Sequence, residues 1–124
     1  MATQRVTEAT FGAVIEDNPI VFVDFWAPWF GPSQEFEHVY EEVAAQNPDL
    51  VFARVNTQDQ QHLAAAANVT SIPTLMAYRD RVLVYSEPGP MTAEQLSDLV
   101  AAVRAIDMNE VAAAEDAEES AQEG

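Results

Sequence analysis

The sequence predicts an α/β fold, a central mixed sheet of four to five strands flanked by four helices, and three observations carry that expectation. Ile20–Trp26 is an apolar run broken only by Asp24, the pattern of a strand buried on both faces. A helical stripe and a second buried run at Leu50–Val55 follow, so strand, helix and strand come in the order of a right-handed parallel crossover. Farther along, Thr74–Tyr78 and Val82–Tyr85 are separated only by Arg79-Asp80-Arg81, short enough for a hairpin. A parallel unit joined to a hairpin requires a mixed sheet covered by helices on both faces.

Each element has its own local reason. Thr7 can cap a helix whose apolar residues Phe11, Val14 and Ile15 recur at helical spacing. A short strand at Arg5-Val6 can precede it. After Ile20–Trp26, Pro32 suits the first turn of a helix, where its missing N–H costs nothing. That helix would bury Phe36, Val39, Tyr40, Val43 and Ala44. Asp59 is expected to open a short helix through Leu63 and Ala67. Thr92 and Gln95 form a capping box, and Leu96, Leu99, Val100, Val103 and Ile106 give the closing helix its buried face.

Composition bounds the function more firmly than the fold. The 124 residues include no cysteine, so thiol–disulfide exchange by the chain itself is excluded. Twenty-one acids face five bases, all arginine, for a net charge of −16. Nucleic acid and anionic membranes are therefore excluded as expected partners, since both are bound through cationic groups. Six of the acids fall in residues 110–124. Residues 1–108 read as the folded domain, and 109–124 as an acidic Ala/Glu-rich disordered tail. No apolar run approaches the roughly 18–20 residues that span a bilayer. Met1-Ala2-Thr3-Gln4-Arg5 does not lead into an apolar stretch, so a cytoplasmic protein is expected. With two histidines and no thiol, no metal cluster or cofactor is expected; His38 falls among Glu35, Glu37, Glu41 and Glu42 on a polar helix face. Phosphate-binding loops and Gly-x-Ser-x-Gly elbows are likewise missing from the sequence.

Three landmarks then stand out. Val23-Asp24-Phe25-Trp26-Ala27-Pro28-Trp29 leads into Phe30-Gly31-Pro32-Ser33, Ile72-Pro73-Thr74 opens a strand, and Gly89 precedes the last helix. Together they resemble the thioredoxin family, from about residue 4 to residue 107, and the order of elements matches. The resemblance implies the thioredoxin fold and a cis peptide at Ile72-Pro73. It also exposes a departure. Where the family carries Trp-Cys-Gly-Pro-Cys, Phe30 stands at the nucleophile and Ser33 at the resolving position, and Gln34 replaces the basic residue that commonly follows. Phenylalanine offers no nucleophile, and neither His38 nor His62 is placed to activate Ser33, which is expected to hydrogen-bond locally instead. Asp24 and Arg54 match the family's proton-relay carboxylate and the basic residue behind it, retained here as a charge pair with no thiol to serve. His38 replaces a kinking proline, so that helix is expected to run straighter. Asp80-Arg81 replaces an Asn-Gly type of turn, with altered turn geometry as the expectation.

The family activity is protein-disulfide oxidoreduction, and this chain is expected to be inactive in it. The resemblance implies a peptide groove formed by Trp29, Phe30, Gly31, Pro32, Ile72, Pro73 and Gly89. Phe30 either extends that groove with an apolar surface or folds inward over Trp26 or Tyr40. The reading favoured is a redox-inactive module or scaffold, expected to be monomeric, with a protein or extended peptide as partner. A second reading is a thioredoxin-type reductase stripped of its cysteines.

Overall fold

The computed structural model describes residues 2–109. The elements run β1 (Gln4–Arg5), α1 (Glu8–Asp17), β2 (Ile20–Trp26), α2 (Gly31–Gln46), β3 (Val51–Asn56), α3 (Gln61–Ala66), β4 (Thr74–Arg79), β5 (Val82–Pro88) and α4 (Ala93–Arg104). The sheet order is β1-β3-β2-β4-β5. β2 lies parallel to β3 and antiparallel to β4, and β4 pairs antiparallel with β5. The mixed, helix-covered sheet expected from the sequence is therefore present, with five strands and four helices. Of the tail expected at 109–124, residues 110–124 lie outside the described residues.

β2 is central because its side chains are apolar on both faces, and each face closes a separate core. One face packs Ile20 and Phe22 with Phe36, Tyr40, Phe52, Leu96 and Val100, beneath α2 and α4. Phe22 and Phe52 stack at 5.0 Å between centroids, and Tyr40 meets Phe52 edge-on at 5.5 Å. The other face packs Val21, Val23 and Phe25 with Val6, Ile15, Val55 and Met76, beneath α1 and α3. The two layers hold the strand rigid from both sides, which fixes the loop that leaves its C-terminal end.

Several local expectations are corrected. α3 begins at Gln61, two residues after Asp59, because the Asn56 side chain accepts from the Gln58 and Asp59 amides at 2.9 and 3.3 Å and makes a turn there. The first strand is Gln4–Arg5, with Val6 donating to the Arg54 carbonyl at 2.9 Å just beyond it. The hairpin turn keeps the geometry that Asn-Gly would adopt: Asp80 and Arg81 both have positive φ, 50° and 72°. Two consecutive left-handed residues between paired strands match the twist of a hairpin, so the turn type is held by the sheet against residue preference. The Thr92–Gln95 capping box forms in both directions, at 3.0 and 3.1 Å. α2 runs unbroken through His38. No helix among the described residues is long and apolar enough to cross a membrane.

Candidate functional site

The strand register gathers the predicted residues at one end of the sheet. Trp26 ends β2 opposite Asn56 of β3, while Thr74 at the start of β4 lies between Phe25 and Pro88. The loops 27–30, 57–60, 71–73 and 89–92 therefore share one edge. Thr57 ties two of them, its amide and hydroxyl both donating to the Trp26 carbonyl at 2.9 and 3.0 Å. The Gly89 amide donates to the Pro73 carbonyl at 2.7 Å, with Gly89 at φ +99°, a backbone state glycine adopts without penalty. Ile72-Pro73 is cis, as expected.

At the head of α2, Ser33 is fully buried, and its Oγ accepts from the Ala27 amide at 3.2 Å. Its own amide donates to the Phe30 carbonyl at 3.1 Å. Ser33 thus closes the loop onto the helix, the local bonding expected of it. Gln34 reaches back to donate to the Pro28 carbonyl. Phe30 is half-buried and meets Trp29 edge-on, 5.8 Å between centroids at 82°. Trp29 itself is 69% exposed, the most exposed large apolar side chain among the described residues. Phe30 therefore packs on its neighbour at the mouth of the site, and no ring pairing joins it to Trp26 or Tyr40. Ile72 is half-buried beside Pro73, and its backbone amide and carbonyl make no hydrogen bond among the described residues.

Beneath this mouth lies a polar set that sequence reasoning placed only in part. Asp24 is fully buried, and neither carboxyl oxygen has a hydrogen-bond partner. Arg54 is its neighbour in the parallel ladder, yet the ion pair it makes is with Glu37, at 3.1 Å. The expected Asp24–Arg54 charge pair is therefore corrected. Glu37 comes off α2 and draws Nη1 of Arg54 outward, leaving Nε and Nη2 buried without partners. The guanidinium lies over the Trp26 ring at 4.3 Å, a cation–π contact, and the indole Nε1 is buried and unpartnered. Burial pushes the Asp24 carboxyl up to about 7, with Arg54 opposing and Glu37 reinforcing the rise. Burial also raises Tyr40, whose hydroxyl donates to the Ala53 carbonyl at 2.8 Å.

The sequence places Glu37 and Glu41 with His38 on a polar face of α2. Both instead hold other segments, Glu37 through Arg54 and Glu41 by accepting from the Thr3 amide and hydroxyl at 3.3 and 2.6 Å. Helical spacing in α2 could not reveal these partners, because they arrive from β3 and from the N-terminal segment. Among the described residues no group of three acidic or histidine side chains could hold a metal ion.

A five-stranded mixed sheet, a helix launched from its central strand through Trp29-Phe30-Gly31-Pro32-Ser33, and a cis-proline facing that launch point define a thioredoxin-fold protein without its redox pair. The comparisons agree with the geometry. The thioredoxin family model matches residues 2–102. The chain is 44% identical over 123 residues to a putative thioredoxin 2 of Streptomyces coelicolor, covering 99% of this chain and 91% of that one. It is 35% identical over 105 residues to a thioredoxin of Mycobacterium tuberculosis, covering 80% and 90%. A solved mutant thioredoxin from Halobacterium salinarum superposes with a TM-score of 0.78 at 31% identity, over 85% of this chain and 93% of that one. The chain belongs to the thioredoxin family. Having no cysteine, it cannot act as a thiol reductase.

Proposed function

We propose that this protein is a redox-inactive peptide-binding module that uses the groove of the thioredoxin scaffold. One observation carries the reading. The exposed Trp29, with Phe30 packed against it, and Ile72, whose backbone amide and carbonyl make no hydrogen bond among the described residues, lie in loops at the same end of the sheet. An apolar strip beside unpaired backbone groups is suited to an extended segment, which bonds through its main chain and seats alternate side chains. Ser33 supports the reading in another way: buried and bonded to Ala27, it braces the loop and offers no exposed hydroxyl for chemistry.

The test is a peptide-display selection against the full chain, followed by titration of enriched peptides into wild type and Ile72→Asp. Ile72→Asp places a charge in the strip and leaves the proline alone, so binding should weaken about tenfold or more. Selection that enriches nothing, or enriched peptides that bind the variant undiminished, would remove the groove from the protein's function.

A further inference from the structure

The groove lies in a field of one sign. Arg79, paired in register with Ile20 and Val82, ends β4 at the opposite end of the sheet, and Arg81 follows it in the hairpin turn. Five residues of β4 separate Arg79 from Thr74, about 17 Å at the rise of a strand. That is roughly twice the screening length of about 8 Å at physiological ionic strength. Arg79 is also committed, donating to the Val103, Arg104 and Ile106 carbonyls at 2.8, 3.1 and 3.2 Å. Arg104 closes α4 at that same far end, held by both oxygens of Asp49 at 2.8 and 2.9 Å. Arg54 is close to the groove but largely buried, 12% exposed at its side chain, and neutralised by Glu37. Arg5 lies on the outer strand beyond β3.

The acids are distributed differently. Asp59 is exposed in the turn after β3. Glu87 is exposed near the end of β5, opposite Leu75. Glu35 and Glu94 are exposed in the opening turns of α2 and α4, the two helices that begin at this edge. Trp29, Phe30 and Ile72 therefore share this end of the sheet with four exposed carboxylates, and the exposed arginine level with it, Arg5, stands two strands away from β2 on the outermost strand.

Resting on the peptide-binding reading above, we infer that the groove selects extended segments of another protein in which an apolar residue is flanked by lysine or arginine. The apolar residue would meet Trp29 and Phe30, and the flanking cations would meet Asp59 on the β3 side and Glu87 on the β5 side, with Glu35 and Glu94 in the opening turns of the two helices. Charge complementarity of this kind acts on encounter and partner choice, and salt weakens it. A second copy of this chain is a poor occupant, since it would bring its own excess of acids to the same edge.

Three synthetic peptides test this, sharing one apolar core and flanked by lysine, glutamine or glutamate. They are titrated into the full chain at low and high salt by calorimetry. The lysine peptide should bind about tenfold more tightly than the glutamate peptide at 50 mM NaCl, and the gap should close to about threefold or less at 500 mM. Asp59→Asn with Glu87→Gln should reduce the lysine preference and leave the glutamine peptide unchanged. Glu16→Gln with Asp17→Asn, near the hairpin at the far end, should alter neither. Trp29→Ala should weaken all three. If the glutamine peptide binds and the lysine peptide binds no better, the charge inference is overturned and the groove reading stands. If no peptide binds, the groove reading falls and the inference falls with it. Lysine-peptide binding that Trp29→Ala leaves intact would mean general adhesion to an acidic surface, and would also overturn the inference.

Discussion

Asp24→Asn should stabilise this protein at neutral and alkaline pH and leave it nearly unchanged near pH 4. The carboxyl is fully buried, without a hydrogen bond, and raised from the ordinary 3.8 to about 7. A raised carboxyl means that the folded chain binds its proton more tightly than the unfolded chain does. Between about pH 4 and 7 the unfolded state releases that proton first, so stability falls as pH rises; above 7 the loss is complete. At 1.36 kcal/mol per pKa unit, the interval from 3.8 to about 7 corresponds to about 4 kcal/mol. Asparagine has nearly the shape of the protonated acid and cannot ionise, so it removes that dependence. Urea unfolding of both proteins at pH 4 and pH 8 reads the effect. With a slope of about 2 kcal/mol per molar, the variant's midpoint should lie about 2 M higher at pH 8 and coincide with wild type at pH 4. Comparing two chains at each pH cancels the titration of the many other carboxylates. An equal displacement at both pH values, or a wild type that gains on the variant as pH rises, would refute the reasoning.

Four further outcomes follow from the same geometry. Glu37→Gln frees Arg54 to turn toward Asp24 and removes a nearby negative charge, so the Asp24 midpoint should drop below 7, read from its side-chain carboxyl signal by NMR. Arg79→Met leaves three carbonyls at the end of α4 without their donor and should cost about 1–3 kcal/mol in urea unfolding. Arg81→Gly relieves a non-glycine residue at φ 72° and should raise stability by about 1 kcal/mol, visible as a higher thermal midpoint. Phe30→Cys with Ser33→Cys should restore measurable insulin reduction with dithiothreitol, because the helix start, the buried Asp24 and the Pro73 loop are all in place; wild type should match the protein-free blank.

The legible parts of the fold were those in which sequence spacing alone decides burial. Ile20–Trp26 is legible at its observed limits because six of its seven residues are buried, on two faces, which leaves no alternative register. The Thr92–Gln95 box was readable because both partners lie within four residues. What escaped were side-chain choices made by distant partners. Asp59 looked like a helix start until the Asn56 side chain captured its amide. Arg54 had two acids within reach, and only packing shows that Glu37 rather than Asp24 takes it. Phe30 could fold over Trp26 or Tyr40 or line the mouth; its edge contact with Trp29 follows the path of the loop that Ser33 and Gln34 brace.

Loss of the thiols changes what this groove can do in two opposite ways. A thiolate captures a partner covalently and so needs little non-covalent affinity. A phenyl ring captures nothing, but burying it against a partner contributes at most about 1.5–3 kcal/mol. The exposed Trp29 adds a comparable amount, and main-chain bonds to Ile72 add about 1 kcal/mol each. Against these stands the entropy of ordering an extended segment, several kcal/mol for even a short one. The balance, a few kcal/mol at best, places binding by the apolar strip alone around millimolar or weaker. Exposed carboxylates beside the strip matter most in that range, where a tenfold electrostatic gain separates one partner sequence from another. On the groove reading, charge supplies the partner discrimination that thiol chemistry supplies where a cysteine is present.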